Sequence, residues 1–60
     1  MNITYASVEA SGQWTIHGEI DGFEHSATID GELVQTLTQS EIIALGESLI
    51  QEAYQRYLSE

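Results

Sequence analysis

Trp14-Thr15-Ile16-His17-Gly18-Glu19-Ile20, then Asp21-Gly22, then Phe23-Glu24-His25-Ser26-Ala27-Thr28-Ile29: this stretch decides the fold. Trp14, Ile16, Gly18 and Ile20 alternate with Thr15, His17 and Glu19, the period-two pattern of a strand with one face buried. Phe23, His25, Ala27 and Ile29 alternate in the same way with Glu24, Ser26 and Thr28. Asp21-Gly22 between them tolerates the positive φ angles that a tight type I′ turn demands. A two-residue turn fixes the register, so Ile20 faces Phe23, Gly18 faces His25, Ile16 faces Ala27 and Trp14 faces Ile29. All four pairs fall on one face. Pattern and turn chemistry agree on a hairpin.

Upstream, residues 2–10 read as a first strand, with Ser11-Gly12 as its turn. Ile3 and Tyr5 have one parity, whereas Ala6, Val8 and Ala10 have the other. A two-residue turn sets Tyr5 opposite Gly18, and a three-residue turn sets Val8 opposite Ile16. A bulge near residues 5–7 is expected to bring both sets inward. Downstream, Asp30-Gly31 repeats the turn signal. Residues 32–36 are either a loop crossing to the next element or a short fourth strand.

Thr38 opens a helix. Thr38 and Glu41 match a capping box, and Leu37 with Ile42 match the hydrophobic staple around it. From Gln39 to about Leu58 the apolar residues recur at helical spacing. Leu45, Leu49, Ile42, Ala53, Gly46, Tyr57, Ile50, Ile43, Tyr54 and Leu58 follow one another around the helix over roughly 220°. One sheet covers a stripe of only about 100° or somewhat more. Gly46 and Ala53 are small enough to let the helix approach a sheet closely. With that stripe on the sheet, Ile43, Ile50, Tyr54, Tyr57 and Leu58 are expected along a less covered flank, an interface for a second copy or a partner. The expected fold is α+β: a three-stranded antiparallel meander packed on one C-terminal helix, βββα.

Sixty residues hold one small domain. The chain has no cysteine, hence no disulfide, thiolate nucleophile or thiolate metal site. Its apolar fraction of 42% suits a globular chain. No apolar run is long enough to span a membrane, and no basic segment leads into an apolar stretch at the N-terminus. A cytoplasmic location is expected. Ten Asp and Glu stand against one Lys or Arg, Arg56, giving a net charge of −9. Such a surface repels a phosphate backbone, so direct binding of nucleic acid is not expected.

The only imidazoles, His17 and His25, fall on opposite faces of the hairpin. His17 lies opposite Ser26 with Glu19 and Glu24 nearby, which superficially offers Ser, His and carboxylate. That face is the solvated side of a small sheet, and the expectation is an exposed polar surface with no catalytic residue. His25 is expected to fill the space that Gly18 leaves. No ligand spacing for calcium or zinc is present, so neither a metal nor a cofactor is expected.

The acidity is more informative. Glu19, Asp21, Glu24, Asp30 and Glu32 are expected on the outer face and turns of the sheet. Glu19 and Glu24 are directly opposed, a pairing that destabilises a sheet. Outward residues two apart on a strand lie about 6.6 Å apart, comparable with successive phosphates on a nucleic-acid strand. The expected function is a non-enzymatic binding module that occupies a basic surface on a larger protein, with self-association into a homodimer. In size and charge the chain resembles small acidic inhibitors of nucleic-acid-handling enzymes, such as phage anti-restriction or anti-CRISPR proteins and bacterial immunity proteins. The alternative is a homo-oligomeric assembly protein whose helix is the interface and whose acidity serves solubility.

Overall fold

The alternation in residues 14–29 becomes a hairpin in the computed structural model, which describes residues 2–60. Strands β1 (Asn2–Val8), β2 (Trp14–Ile20) and β3 (Phe23–Ile29) form an antiparallel sheet in the order β1-β2-β3. Ile20 faces Phe23, Gly18 faces His25, Ile16 faces Ala27 and Trp14 faces Ile29, as the turn chemistry requires. Asp21 and Gly22 have φ of 48° and 83°, the two left-handed residues of a type I′ turn.

β1 departs from both sequence-derived registers. Its turn is Ala10-Ser11-Gly12, closed by Glu9 N–H to Gln13 O at 2.8 Å and Gly12 N–H to Glu9 O at 2.9 Å, with Gly12 at φ 88°. Three residues ending in a left-handed glycine set Val8 opposite Trp14 and Ala6 opposite Ile16. The expected bulge is present but lies between Ile3 and Tyr5. Ile3, Ala6 and Val8 therefore share the inner face, and Tyr5 turns outward opposite His17.

Residues 31–37 form neither a strand nor an open loop. Asp30 caps a single helical turn, α1 (Gly31–Val34), its side chain accepting from Glu32 N–H at 3.2 Å. Gly31 is pressed against the β1–β2 turn, where a Cβ would lie 2.9 Å from Ser11 O. Val34 and Leu37 pack on the core as the chain reverses.

The helix α2 (Gln39–Ser59) starts where the sequence places it. Thr38 accepts from Glu41 N–H at 3.2 Å, and the Glu41 carboxylate accepts from Thr38 N–H at 2.8 Å. The Thr38 main-chain N–H foremost, and then the Thr38 side chain, hold the Glu41 carboxyl below its usual range. A lowered carboxyl pKa favours folding above the ordinary value, and that contribution is lost as the pH falls through the lowered one.

The helix runs antiparallel to β3 and covers β2 and β3, with β1 left at the margin. Ile42, Gly46 and Ile50, spaced by four, form the ridge that meets the sheet. Ile16 and Ile50 are 0% exposed and, with Ala27, Ile29 and Ile42, make the core. Each such isoleucine contributes about 1.5–3 kcal/mol of burial. At the centre, a Cβ on Gly46 would lie 2.6 Å from Ile16 Cγ1, 2.7 Å from its Cβ and 2.8 Å from its Cγ2. Gly46→Ala therefore overpacks by a margin that side-chain rotation cannot absorb. It is expected to destabilise by about 1–3 kcal/mol even though alanine is the better helix former. A fall in the urea midpoint with unchanged slope checks this.

Candidate functional site

The outer face of the sheet consists of three cross-strand rows. Asn2, Glu19 and Glu24 form the row nearest the β2–β3 turn, followed by Tyr5, His17 and Ser26, then Ser7, Thr15 and Thr28. The helix lies on the opposite face, so these rows look away from the core.

The middle row is the most ordered. Ser26 Oγ lies 2.8 Å from His17 Nδ1. The Tyr5 ring stacks on the imidazole with centroids 4.0 Å apart and planes 15° apart. Thr4 Oγ1, at the bulge, donates to His17 O at 3.1 Å. Together with Glu24 and His25 these residues line a depression of about 490 Å³. Ser26 and His17 stand at nucleophile–base distance. Among the described residues, however, no carboxylate hydrogen-bonds to the imidazole to orient it. Nor do any three His, Asp or Glu side chains gather at metal-binding distances there. The row is a polar platform with an aromatic lid on its histidine.

The five acidic residues expected on the outer face and turns of the sheet divide into two groups. Glu19 and Glu24 are directly opposed on the outer face, with Asp21 in the adjoining turn. Asp30 and Glu32 lie beyond the other end of β3, about 23 Å away for seven residues of strand. There Asp30 caps α1, and Glu32 occupies its first turn. The candidate acidic site is therefore Glu19, Asp21 and Glu24. The only Lys or Arg, Arg56, is paired with Glu52 at 2.9 Å on the exposed helix, so no such cation neutralises this end.

The helix flank also differs from expectation. Ile50 does not contribute to it, because its Cδ1 sits over Gly18, 3.0 Å from where a Cβ would be. Ile50 thus fills the space expected of His25, which lies exposed and stacked on Phe23 at 5.6 Å. Seating Gly46 on Ile16 rotates Ile50 inward and Leu49 outward, to 36% exposure. Ile43 packs partly against the core. Tyr57 and Leu58 are each 57% exposed, in the helix end that overhangs the sheet.

That overhang belongs to the acidic end. Phe23 packs on Tyr57 at 4.7 Å and on Tyr54 at 5.7 Å, and Tyr54 Oη donates to Asp21 Oδ2 at 3.2 Å. Asp21 is thereby placed against a cluster of three aromatic rings on the helix side of the turn, while Glu19 and Glu24 lie on the opposite face of the sheet. The sequence reading missed Tyr5 and Thr4 on the outer face. The parity change in β1 signalled a bulge, but nothing local sets its position. No protein-family model, curated protein or solved structure matches this chain. No described helix is long and apolar enough to cross a membrane.

Desolvation, and then the hydrogen bond and charge of Asp21, push the Tyr54 phenol above its ordinary value. A raised phenol pKa favours folding below the unfolded value of about 10, and this support is lost as the pH rises through the raised one. Asp21→Asn keeps an acceptor and tolerates positive φ but removes the charge. Absorbance titration of tyrosinate is expected to show Tyr54 ionising at lower pH in that variant, and an unchanged titration would contradict the Tyr54–Asp21 coupling.

Proposed function

We propose that this protein is a non-enzymatic binding module that uses its acidic, aromatic end to occupy a basic surface on a larger protein and block it. The observation that carries this reading is the directly opposed Glu19–Glu24 pair beside Asp21, with no ion pair to these carboxylates among the described residues. Directly opposed like charges weaken a sheet, and a 60-residue fold has little stability in reserve. A basic partner converts that repulsion into attraction. The carboxylates steer the encounter and set its salt dependence, while Tyr57, Leu58 and the Phe23–Tyr54 cluster supply apolar anchors of the kind that dominate binding energy. Nucleic-acid-handling enzymes present basic clefts of this character. The reading therefore makes the protein an inhibitor that competes with a phosphate backbone, acting beside such enzymes in the cytoplasm.

The test is inhibition of purified nucleic-acid-cleaving enzymes by the wild-type protein and by the Glu19→Gln, Asp21→Asn, Glu24→Gln triple variant. Inhibition is expected to weaken by about tenfold or more in the variant and to fall steeply as salt is raised. The same variant is expected to be more stable at low salt by about 0.2–1 kcal/mol, measured by thermal unfolding. Inhibition that survives the triple change at full strength would contradict the reading.

A further inference from the structure

β1 (Asn2–Val8) is the one described element without a carboxylate, whereas β2 carries Glu19, β3 Glu24, α1 Glu32 and α2 Glu41, Glu47 and Glu52. It is also an edge strand, and past Ile3 its inner side at Ala6 and Val8 is left open by the helix. Val8 is 59% exposed there, and Ala6 beside it is exposed as well. Glu9 N–H bonds to Gln13 O, so along the regular stretch that continues this pairing Ser7 and Tyr5 direct their main-chain groups at β2. Ala6 and Val8 then direct theirs at the free edge. Natural proteins block such edges with charges or proline, and β1 has neither. Its only guard is the bulge between Ile3 and Tyr5, which leaves residues 5–9 regular. At the other edge, β3 carries Glu24.

We propose that β1 is a self-association edge through which two copies join antiparallel, merging their sheets into one of six strands. Charge selects the occupant. Two chains at −9 each repel through every element that bears carboxylates, and β1 is where they approach at least cost. A basic partner gains no attraction from a neutral strand and is steered to the acidic end instead. A two-fold axis at Ser7 uses the whole regular segment between bulge and turn. It sets Ala6 against Val8 of the second copy, both with main-chain groups at the edge, and it places each Glu9 opposite Tyr5, which keeps the two Glu9 carboxylates apart. The helix flank is a poorer seam, because Ile50 is already buried in the core.

Light scattering behind size exclusion is expected to give twice the 6.6 kDa chain mass at high micromolar concentration, with the dimer favoured as salt is raised. Val8→Glu places a charge on an exposed side chain and is expected to yield a monomer with an unchanged far-UV circular dichroism spectrum. A synthetic chain N-methylated at the Val8 amide, which loses an edge donor without gaining charge, is expected to be monomeric too. Leu58→Glu, in the helix overhang, is expected to stay dimeric. A wild-type monomer at millimolar concentration would overturn the proposal. So would a dimer that persists in the N-methylated chain, or one that Leu58→Glu dissolves and Val8→Glu does not.

Discussion

The seat of Gly46 on Ile16 determines the rest of the molecule. A side chain at position 46 would overlap three carbons of Ile16, so the absence of one lets the helix axis drop onto the middle strand. That contact fixes the rotation of α2 and sends Ile42 and Ile50, one turn to either side, into the core. The short α1 turn holds the chain reversal against the β1–β2 turn through Gly31. With few buried side chains, no cysteine to form a disulfide and no metal-holding cluster among the described residues, the fold relies on this close approach more than a larger domain would.

One helix cannot cover everything the sheet offers. α2 spans 21 residues, about 31 Å, against strands of seven residues, about 23 Å, so its last turns overhang beyond Phe23. In width it covers two strands of three. The surplus helix end meets the acidic turn and gives the Asp21 carboxylate and the aromatic rings a common location. The uncovered strand is the neutral one. Charge is thus segregated by element, with carboxylates toward both ends of the sheet and none on β1. The two surfaces are separate: one lies at the β2–β3 turn and the other along the β1 edge.

The parts legible in the sequence are those set by local chemistry. Asp21-Gly22 with its flanking alternation specified the β2–β3 register to the residue, and Thr38 with Glu41 marked the helix start, because turns and caps are satisfied within a few residues. The parts that were not legible depend on long-range packing. Whether Ile50 or His25 fills the space over Gly18 is decided by the rotation of α2, which follows from Gly46 meeting Ile16 and not from the width of the apolar arc. The position of the β1 bulge, and with it the outward turn of Tyr5 onto His17, depends on a three-residue turn that begins at Ala10, one residue before the Ser11-Gly12 signal. The acidic site was half legible: the Glu19–Glu24 opposition follows from register, whereas Asp30 and Glu32 were separated from it by the length of β3.

Nuclear Overhauser spectroscopy on methyl-labelled protein tests this account most directly. Strong cross-peaks are predicted from the Ile16 methyl groups to the Gly46 α-protons, together with contacts from Ile50 to Ile3 and none from α2 to Val8. Cross-peaks joining the helix to Val8, or an Ile16 environment without Gly46, would contradict the central claim that one glycine seats the helix over β2 and leaves the Ala6–Val8 end of β1 free.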